Sequence, residues 1–179
     1  MNKSVYSLVL IDELVERLDR DAYARGLSRS ALINEILAQY LSVTTPEMRM
    51  QQVLDTARHL LDDGGDLQLV APPSGSGMVL RSALRYKYNP TVRYAIELSR
   101  APSGTAGRLR AQLRTRSEVL LNDAERFFVL WDAIERRLRD RVESSIEPGR
   151  YTRLFLPSGQ GMSPEALGEC IADYVLLFD

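Results

Sequence analysis

The N-terminal fold is decided by the segment Val5-Tyr6-Ser7-Leu8-Val9-Leu10, together with Arg25-Gly26-Leu27-Ser28-Arg29-Ser30 further along the chain. Side chains in the first segment alternate between two faces, a pattern typical of a short strand. Tyr6, Leu8 and Leu10 share one face, which we expect to point toward a core. A strand of six residues has no stable structure unless another strand pairs with it.

Two short helices follow this strand. The first is predicted from Asp12, taken as its N-cap, to Arg25, and Gly26 supplies the left-handed residue that ends helices. The second is predicted from Ala31 to Leu41, with Ser28 as its N-cap. One strand and two short helices cannot enclose a core, so this part of the chain is expected to pair with a copy of itself.

Residues 3–41 resemble a ribbon-helix-helix DNA-binding domain of the Arc and CopG-like repressor kind. The resemblance rests on the strand, the first helix and the segment Arg25-Gly26-Leu27-Ser28-Arg29-Ser30-Ala31-Leu32-Ile33. It implies an intersubunit two-stranded antiparallel ribbon, with one strand from each subunit, that enters the major groove of double-stranded DNA. It assigns base contacts to Lys3, Val5, Ser7 and Val9. It assigns phosphate contacts, made by backbone N–H groups, to Ser28, Arg29 and Ser30.

The chemistry of the ribbon limits what it can read. Val5 and Val9 can contact thymine methyl groups and Ser7 can make one hydrogen bond, but none of them can bind guanine or adenine in a bidentate manner. Further specificity is therefore assigned to the three residues before the strand, Asn2, Lys3 and Ser4. Residues 1–44 carry five basic and six acidic side chains, so nonspecific attraction to phosphate is expected to be weak. The sequence leaves open whether this module binds DNA or only dimerises.

The chain has 179 residues, of which 45% are hydrophobic and 26% charged, the composition of a soluble globular protein. No apolar run approaches the roughly 18 residues needed to span a membrane. Asp12, Glu13 and Glu16 interrupt the apolar stretch that a signal peptide would need. We therefore predict a cytoplasmic protein without a membrane partner. Cys170 is the only cysteine, and its apolar neighbours predict a buried structural thiol.

The predicted fold class is α+β. Residues 1–44 form the ribbon-helix-helix module, 45–65 a connecting helix (predicted from Glu47 to Leu61), and 66–179 an α+β domain for ligand sensing or oligomerisation. In the third part, alternation with a period of two predicts an antiparallel sheet. Its strands are predicted at Leu67 to Ala71, Met78 to Lys87, Thr91 to Ser99, Arg108 to Thr115 and near Tyr151 to Leu156. A final helix is predicted from Pro164 to Phe178.

The alternation gives this sheet two different faces. The apolar face is predicted to contain Met78, Leu80, Leu84, Tyr86, Val92, Tyr94, Ile96, Leu98, Leu109, Ala111 and Leu113. The opposite face is a candidate anion-binding surface formed by Arg81, Arg85, Lys87, Arg93, Arg108, Arg110 and Arg114. Residues 78–116 carry nine basic side chains against the single acid Glu97. The sequence leaves three uses open for this surface: ion pairs with the acidic helices that follow, an anionic small-molecule effector, or a contact with a nucleic acid backbone or protein partner.

A long helix is predicted from Ser117 to Val142 and is expected to pack on the apolar face of the sheet. Its apolar stripe, which repeats in steps of three and four, indicates a core seam rather than a ligand site. The stripe consists of Leu120, Ala124, Phe127, Trp131, Ile134, Leu138 and Val142.

No set of nucleophile, base and orienting group can be assembled around the single His59 and the single cysteine. We therefore expect no catalytic residues, no metal site, no cofactor and no enzymatic activity. The predicted function is that of a homodimeric, sequence-specific DNA-binding transcriptional regulator, a repressor, with a C-terminal sensory or assembly domain. Its expected partners are double-stranded DNA and a second copy of itself, and a tetramer is left open. The alternative is an antitoxin-like or scaffold protein that only dimerises through its N-terminal module and binds a protein partner through the C-terminal domain.

Overall fold

The computed structural model describes residues 4–62, 66–100, 104–156 and 162–179. The chain divides into two compact units, Met1–Thr45 and Pro46–Asp179. The N-terminal unit contains the helices α1 (Asp12–Ala24) and α2 (Arg29–Tyr40). The C-terminal unit contains the other nine elements of the described residues, so the predicted α+β class is confirmed.

The two N-terminal helices begin and end near the predicted residues. The N-cap of α1 is Ile11 without a side-chain cap, rather than Asp12, which lies in the first turn, where its carboxylate favours the helix dipole. Gly26 follows α1 with a φ of +63°, and Leu27 donates its backbone N–H to Ala22 O at 2.8 Å. This is the glycine stop predicted from the sequence. Ser28 is the N-cap of α2, as predicted.

The N-terminal unit buries very little of its apolar surface. Its buried apolar side chains in the described residues are Ala22, Leu32 and Ala38. Residues 4–11 have no secondary structure within this one chain, and the expected core face of the strand is open, with Tyr6 82% and Leu8 61% exposed. Pairing of this segment with a strand of another copy stays a prediction.

The C-terminal unit is built from one sheet and three helices in the part of the chain that is described. Its helices are α3 (Pro46–Asp62), α4 (Glu118–Leu138) and α5 (Pro164–Phe178). Its strands are β1 (Gln68–Ser74), β2 (Gly77–Ala83), β3 (Thr91–Leu98), β4 (Gly107–Arg114), β5 (Ser144–Glu147) and β6 (Arg150–Phe155). The strand order is β1-β2-β3-β4-β6-β5, and every neighbouring pair is antiparallel.

Two features of the sheet differ from the sequence prediction. Strand β2 ends at Ala83 rather than Lys87, because the chain folds into a turn in which Leu84 donates its N–H to Pro90 O at 2.9 Å. Tyr86 lies in this turn and is exposed instead of continuing the apolar face. The sequence does not predict β5, whose pattern contains a single apolar residue, Ile146, and whose register depends on pairing with β6.

One face of the sheet is buried under helices. Met78, Leu80, Tyr94, Ile96 and Leu109 are buried there, as their alternation predicts. The helix that the sequence predicts as a connector is α3. Its inward residues pack into the same core as those of α5. The two helices approach closely at Gly168, where a Cβ atom would lie 2.7 Å from the Thr56 Cβ atom and 2.7 Å from the Val53 carbonyl oxygen.

Phe178 lies at the centre of this core and is 5% exposed. Its ring centroid is 5.1 to 6.2 Å from those of six other aromatic side chains. These neighbours come from β3, β6, α4 and α5 itself and are Tyr94, Phe127, Phe128, Trp131, Tyr151 and Tyr174. Large rings in edge and stacked contacts contribute both burial and ring attraction, so this cluster holds the helices to the sheet.

The predicted seam of α4 is partly wrong. Ile134 and Leu138 are exposed, and Phe127 is 41% exposed although one side of its ring contacts Phe178. The residues of α4 that point toward the sheet are Leu121, Ala124, Phe128, Trp131 and Glu135. Relative to the predicted orientation, α4 is rotated about its axis so that the charged Glu135 faces the core. There its carboxylate contacts Tyr151 and Arg153. Cys170, expected to be buried, is exposed on α5, because the buried side of that helix contains Ile171, Tyr174 and Val175.

Glu135 is the centre of a buried polar cluster. Its carboxylate accepts hydrogen bonds from the Tyr151 and Tyr174 hydroxyls, both at 2.8 Å, and pairs with the Arg153 Nε atom at 3.2 Å. Trp131 donates its indole N–H to the Tyr174 oxygen at 2.9 Å. Burial, followed by interaction with Glu135, raises the pKa of Tyr151. These three partners, together with Arg139 at 3.7 Å, satisfy a carboxylate that would otherwise be costly to bury.

Replacing Phe178 should strongly destabilise the C-terminal unit. We expect Phe178→Ala to lower the free energy of unfolding by about 3–5 kcal/mol, because it leaves a cavity among six rings. The matched control is Leu177→Ala, since Leu177 is 74% exposed, and it should change stability by less than about 0.5 kcal/mol. Chemical unfolding followed by circular dichroism measures both. Equal losses for the two variants would contradict the packing described above.

The buried tyrosines should make stability fall at alkaline pH. Burial is the main cause that raises the pKa of Tyr94, Tyr151 and Tyr174 above the unfolded value of about 10. Their contribution is therefore fully present below that value and is lost as pH rises above it, by at most about 1.4 kcal/mol per pH unit for each tyrosine. Unfolding curves across this range should show a smaller slope for Tyr151→Phe than for the native chain, and equal slopes would contradict this prediction.

Candidate functional site

The first candidate site is the exposed segment that precedes α1. Val5 and Val9 are fully exposed and Ser7 is exposed, so all three are available to a partner molecule. Lys3, the fourth proposed base-contacting residue, lies outside the described residues. The segment therefore offers two apolar side chains and one hydroxyl, as the sequence indicates.

The N-terminus of α2 presents open hydrogen-bond donors. The Ser28 hydroxyl accepts a hydrogen bond from the Ala31 N–H at 3.2 Å. Within the described part of the chain, the N–H groups of Ser28, Arg29 and Ser30 have no acceptor. Free N–H groups and the positive end of the helix dipole form a suitable environment for a phosphate oxygen.

Arg29 is engaged by a carboxylate rather than free. Its Nε atom donates to Asp19 Oδ1 at 2.6 Å and its second nitrogen donates to Asp19 Oδ2 at 2.5 Å. These hydrogen bonds lower the pKa of Asp19 and raise the pKa of Arg29. Both side chains are about half exposed, so the pair is accessible to competing anions. A phosphate at the α2 N-terminus would therefore have to share Arg29 with Asp19.

The second candidate site is the sheet face opposite the helices, which we call the open face. Arg81, Arg93, Arg108, Arg110 and Arg114 lie on β2, β3 and β4 with the alternation that directs them to it. Two other proposed residues lie in the turn between β2 and β3 instead. There Arg85 is 3.6 Å from Asp66, and the Lys87 ammonium lies 5.1 Å from the centre of the Tyr88 ring.

Glu97 neutralises part of the open face. It pairs with Arg108 across the strands, with a shortest distance of 2.5 Å, and with Arg110 at 2.7 Å. The sequence shows Glu97 as the single acid among nine basic residues, but only the strand register shows that two arginines share it. These two arginines are consequently poor candidates for binding an external anion.

A different pair of arginines lacks such compensation. Arg81 and Arg93 are direct cross-strand partners, and the same row continues through Gln112 to Arg150. Arg81 donates to the Gln68 side-chain oxygen at 2.9 Å, whereas Arg93 has no hydrogen bond or ion pair among the described residues. Like charges directly opposite each other on a sheet are unfavourable. The sequence reasoning missed Gln68, Gln112 and Arg150, although their strand alternation could have indicated the shared face.

A shallow cavity of about 340 Å³ lies on the open face next to this row. Val79 and Ala95 supply part of its apolar wall, and its polar groups are Arg93, Gln112 and the paired Arg110 and Glu97. One unpaired guanidinium, one amide and small apolar side chains suit a ligand with an anionic group and a limited apolar part.

Other kinds of site find little support in the part of the chain that is described. No group of three or more histidine, cysteine, aspartate or glutamate side chains there is arranged to hold a metal ion. His59 is exposed on α3. None of the described helices has the length and apolar character required to cross a membrane.

Comparison with known proteins identifies the N-terminal unit. Residues 7–42 match the family described as ribbon-helix-helix protein, copG family. Searches among curated proteins and among solved structures find no match. The glycine stop after α1, the serine cap of α2 and most of the exposed strand segment lie within the matched residues. Residues 7–42 of this chain are therefore similar to the ribbon-helix-helix module of the copG family.

Proposed function

We propose that this protein is a homodimeric, sequence-specific DNA-binding transcriptional regulator that acts as a repressor in the cytoplasm. The observation that carries the proposal is the exposed strand segment of a ribbon-helix-helix module, whose apolar face is left uncovered by the described residues. Pairing of two such strands would bury Tyr6, Leu8 and Leu10 and would present Val5, Ser7 and Val9 to the major groove.

The α2 N-terminus supports phosphate binding in the same proposal. The open N–H groups of Ser28, Arg29 and Ser30 would hold a phosphate oxygen and fix the register of the ribbon on DNA. Because Asp19 occupies Arg29, this contact gains more from hydrogen bonding than from net charge. Specificity would come from the ribbon and from Asn2, Lys3 and Ser4.

For the C-terminal unit we propose sensing of an anionic small molecule on the open face. The unpaired Arg93, its cross-strand partner Arg81 and the amide of Gln112 favour an anion there, because a bound negative charge would relieve the repulsion between the two guanidinium groups. Arg108 and Arg110 would stay paired with Glu97 and would not bind the anion directly.

Two observations favour a second candidate function, an antitoxin-like or scaffold protein. The described ribbon residues offer no bidentate base reader, and Arg29 at the α2 N-terminus is paired with Asp19. In this alternative, the N-terminal module only dimerises and the C-terminal unit binds a protein. Selection of bound fragments from random DNA by the purified full chain distinguishes the two functions, since only a regulator enriches a shared sequence.

Two neighbouring substitutions should separate pairing from DNA binding. Leu8→Asp places a charge on the pairing face and should lower the mass in light scattering by about half while abolishing DNA binding. Val9→Asp places the same charge on the outward face and should leave the mass unchanged while weakening DNA binding at least about tenfold. If the two variants behave alike in light scattering, the assignment of faces is wrong. An unchanged sequence preference in Ser7→Ala/Val9→Ala would contradict base reading by the ribbon.

Loss of Arg93 should remove anion-dependent stabilisation. We expect inorganic phosphate or pyrophosphate to raise the melting temperature of the native chain, because ligands that bind only the folded state stabilise it. Arg93→Gln should lose most of this increase, whereas Arg141→Gln, an exposed arginine that lies on no strand, should retain it. Equal increases in both variants would mean that the anion binds elsewhere, as at the α2 N-terminus, and would contradict a site on the open face.

A further inference from the structure

Helix α4 carries an apolar stripe that the described part of the chain leaves largely uncovered. Phe127, Leu130, Ile134 and Leu138 are large side chains that remain 41 to 78% exposed. At 3.6 residues per turn they fall within about 80° around the helix axis, so they form one continuous strip. Contiguous exposed apolar surface of this kind is uncommon in a soluble chain and marks a contact surface.

The charges along this stripe are self-complementary. Asp123 lies seven residues before Leu130 and Arg137 lies seven residues after it, on the same side of the helix. Asp123 is only weakly paired, at 3.9 Å from Arg126, and Arg137 has no ion pair among the described residues. If a second α4 crosses antiparallel at Leu130, each Asp123 faces the Arg137 of the other copy. The two helix dipoles then also run in opposite directions, which is favourable.

We propose that α4 is a second self-association surface, on which α4 of another copy packs antiparallel about a two-fold axis near Leu130. A surface that matches itself under a two-fold rotation suits an identical chain. This contact belongs to the C-terminal unit and does not depend on the pairing of the N-terminal strands. Together, the two contacts would allow ribbon-paired dimers to join into larger assemblies.

Disulfide trapping in the full chain tests this contact. Leu130→Cys is made in a Cys170→Ser background, because Cys170 is exposed and would otherwise react. Under mild oxidation, we expect covalent dimers to form at least about tenfold faster than for the control Val129→Cys. Val129 is 56% exposed and Leu130 61% exposed, but Val129 lies about 140° from the centre of the stripe. Equal rates, or no dimers at either position, would overturn the proposal.

Charge reversal tests the orientation. Asp123→Arg in the Leu130→Cys chain should slow trapping, because it places two positive side chains together across the contact. Adding Arg137→Asp should restore the rate, since the reversed charges attract again. Failure of the second change to restore the rate would overturn the antiparallel pairing and would leave a different protein as the occupant of the stripe.

Trapping is also measured in the Leu8→Asp background. The cysteine introduced by Leu130→Cys reports only on α4, so absence of trapping in both backgrounds rejects the α4 contact without bearing on the ribbon. Ribbon pairing is read separately from the effect of Leu8→Asp on mass. Continued trapping with a disrupted ribbon would show that α4 associates on its own.

Discussion

Burial of one face of the sheet under α3 and α5 is the constraint on which the rest of the C-terminal unit depends. Because strand side chains alternate, fixing the inward residues also fixes the outward ones. The aromatic cluster around Phe178 therefore determines indirectly that Arg81, Arg93 and Arg110 share the open face. The same packing holds Glu135 and Arg153 together in the core, where neither charge would be tolerated alone.

The positive charge of the chain is distributed differently from what its position in the sequence suggests. Residues 78–116 carry nine basic side chains and one acidic side chain, but part of this positive charge is neutralised by specific partners. The main one is Glu97, which pairs with Arg108 and Arg110. The surface that remains is a narrower row centred on Arg81 and Arg93. In the N-terminal unit, a carboxylate similarly occupies Arg29. Both proposed sites thus depend on hydrogen-bond geometry more than on net charge, which favours selective over nonspecific binding.

Exposed apolar surface occurs in both units, in two different forms. Residues 4–11 of the N-terminal unit have unpaired backbone groups among the described residues as well as apolar side chains, and this combination suits pairing with another strand. The stripe on α4 has a backbone already satisfied within its helix and requires only side-chain packing. The segment before α1 therefore needs a partner that supplies backbone hydrogen bonds, whereas the α4 stripe needs only apolar side chains.

The sequence by itself determined the features that depend on local pattern. Alternation and helix caps predicted the module, most strands and the arginine-bearing face, since these follow from the geometry of a single strand or helix. Only the tertiary structure decided the rotation of α4, the existence of β5 and the exposure of Cys170. It also decided that Glu97 is shared by two arginines while Arg81 faces Arg93. These features depend on residues far apart in the chain, whose register is set by packing and long-range pairing that no local pattern contains.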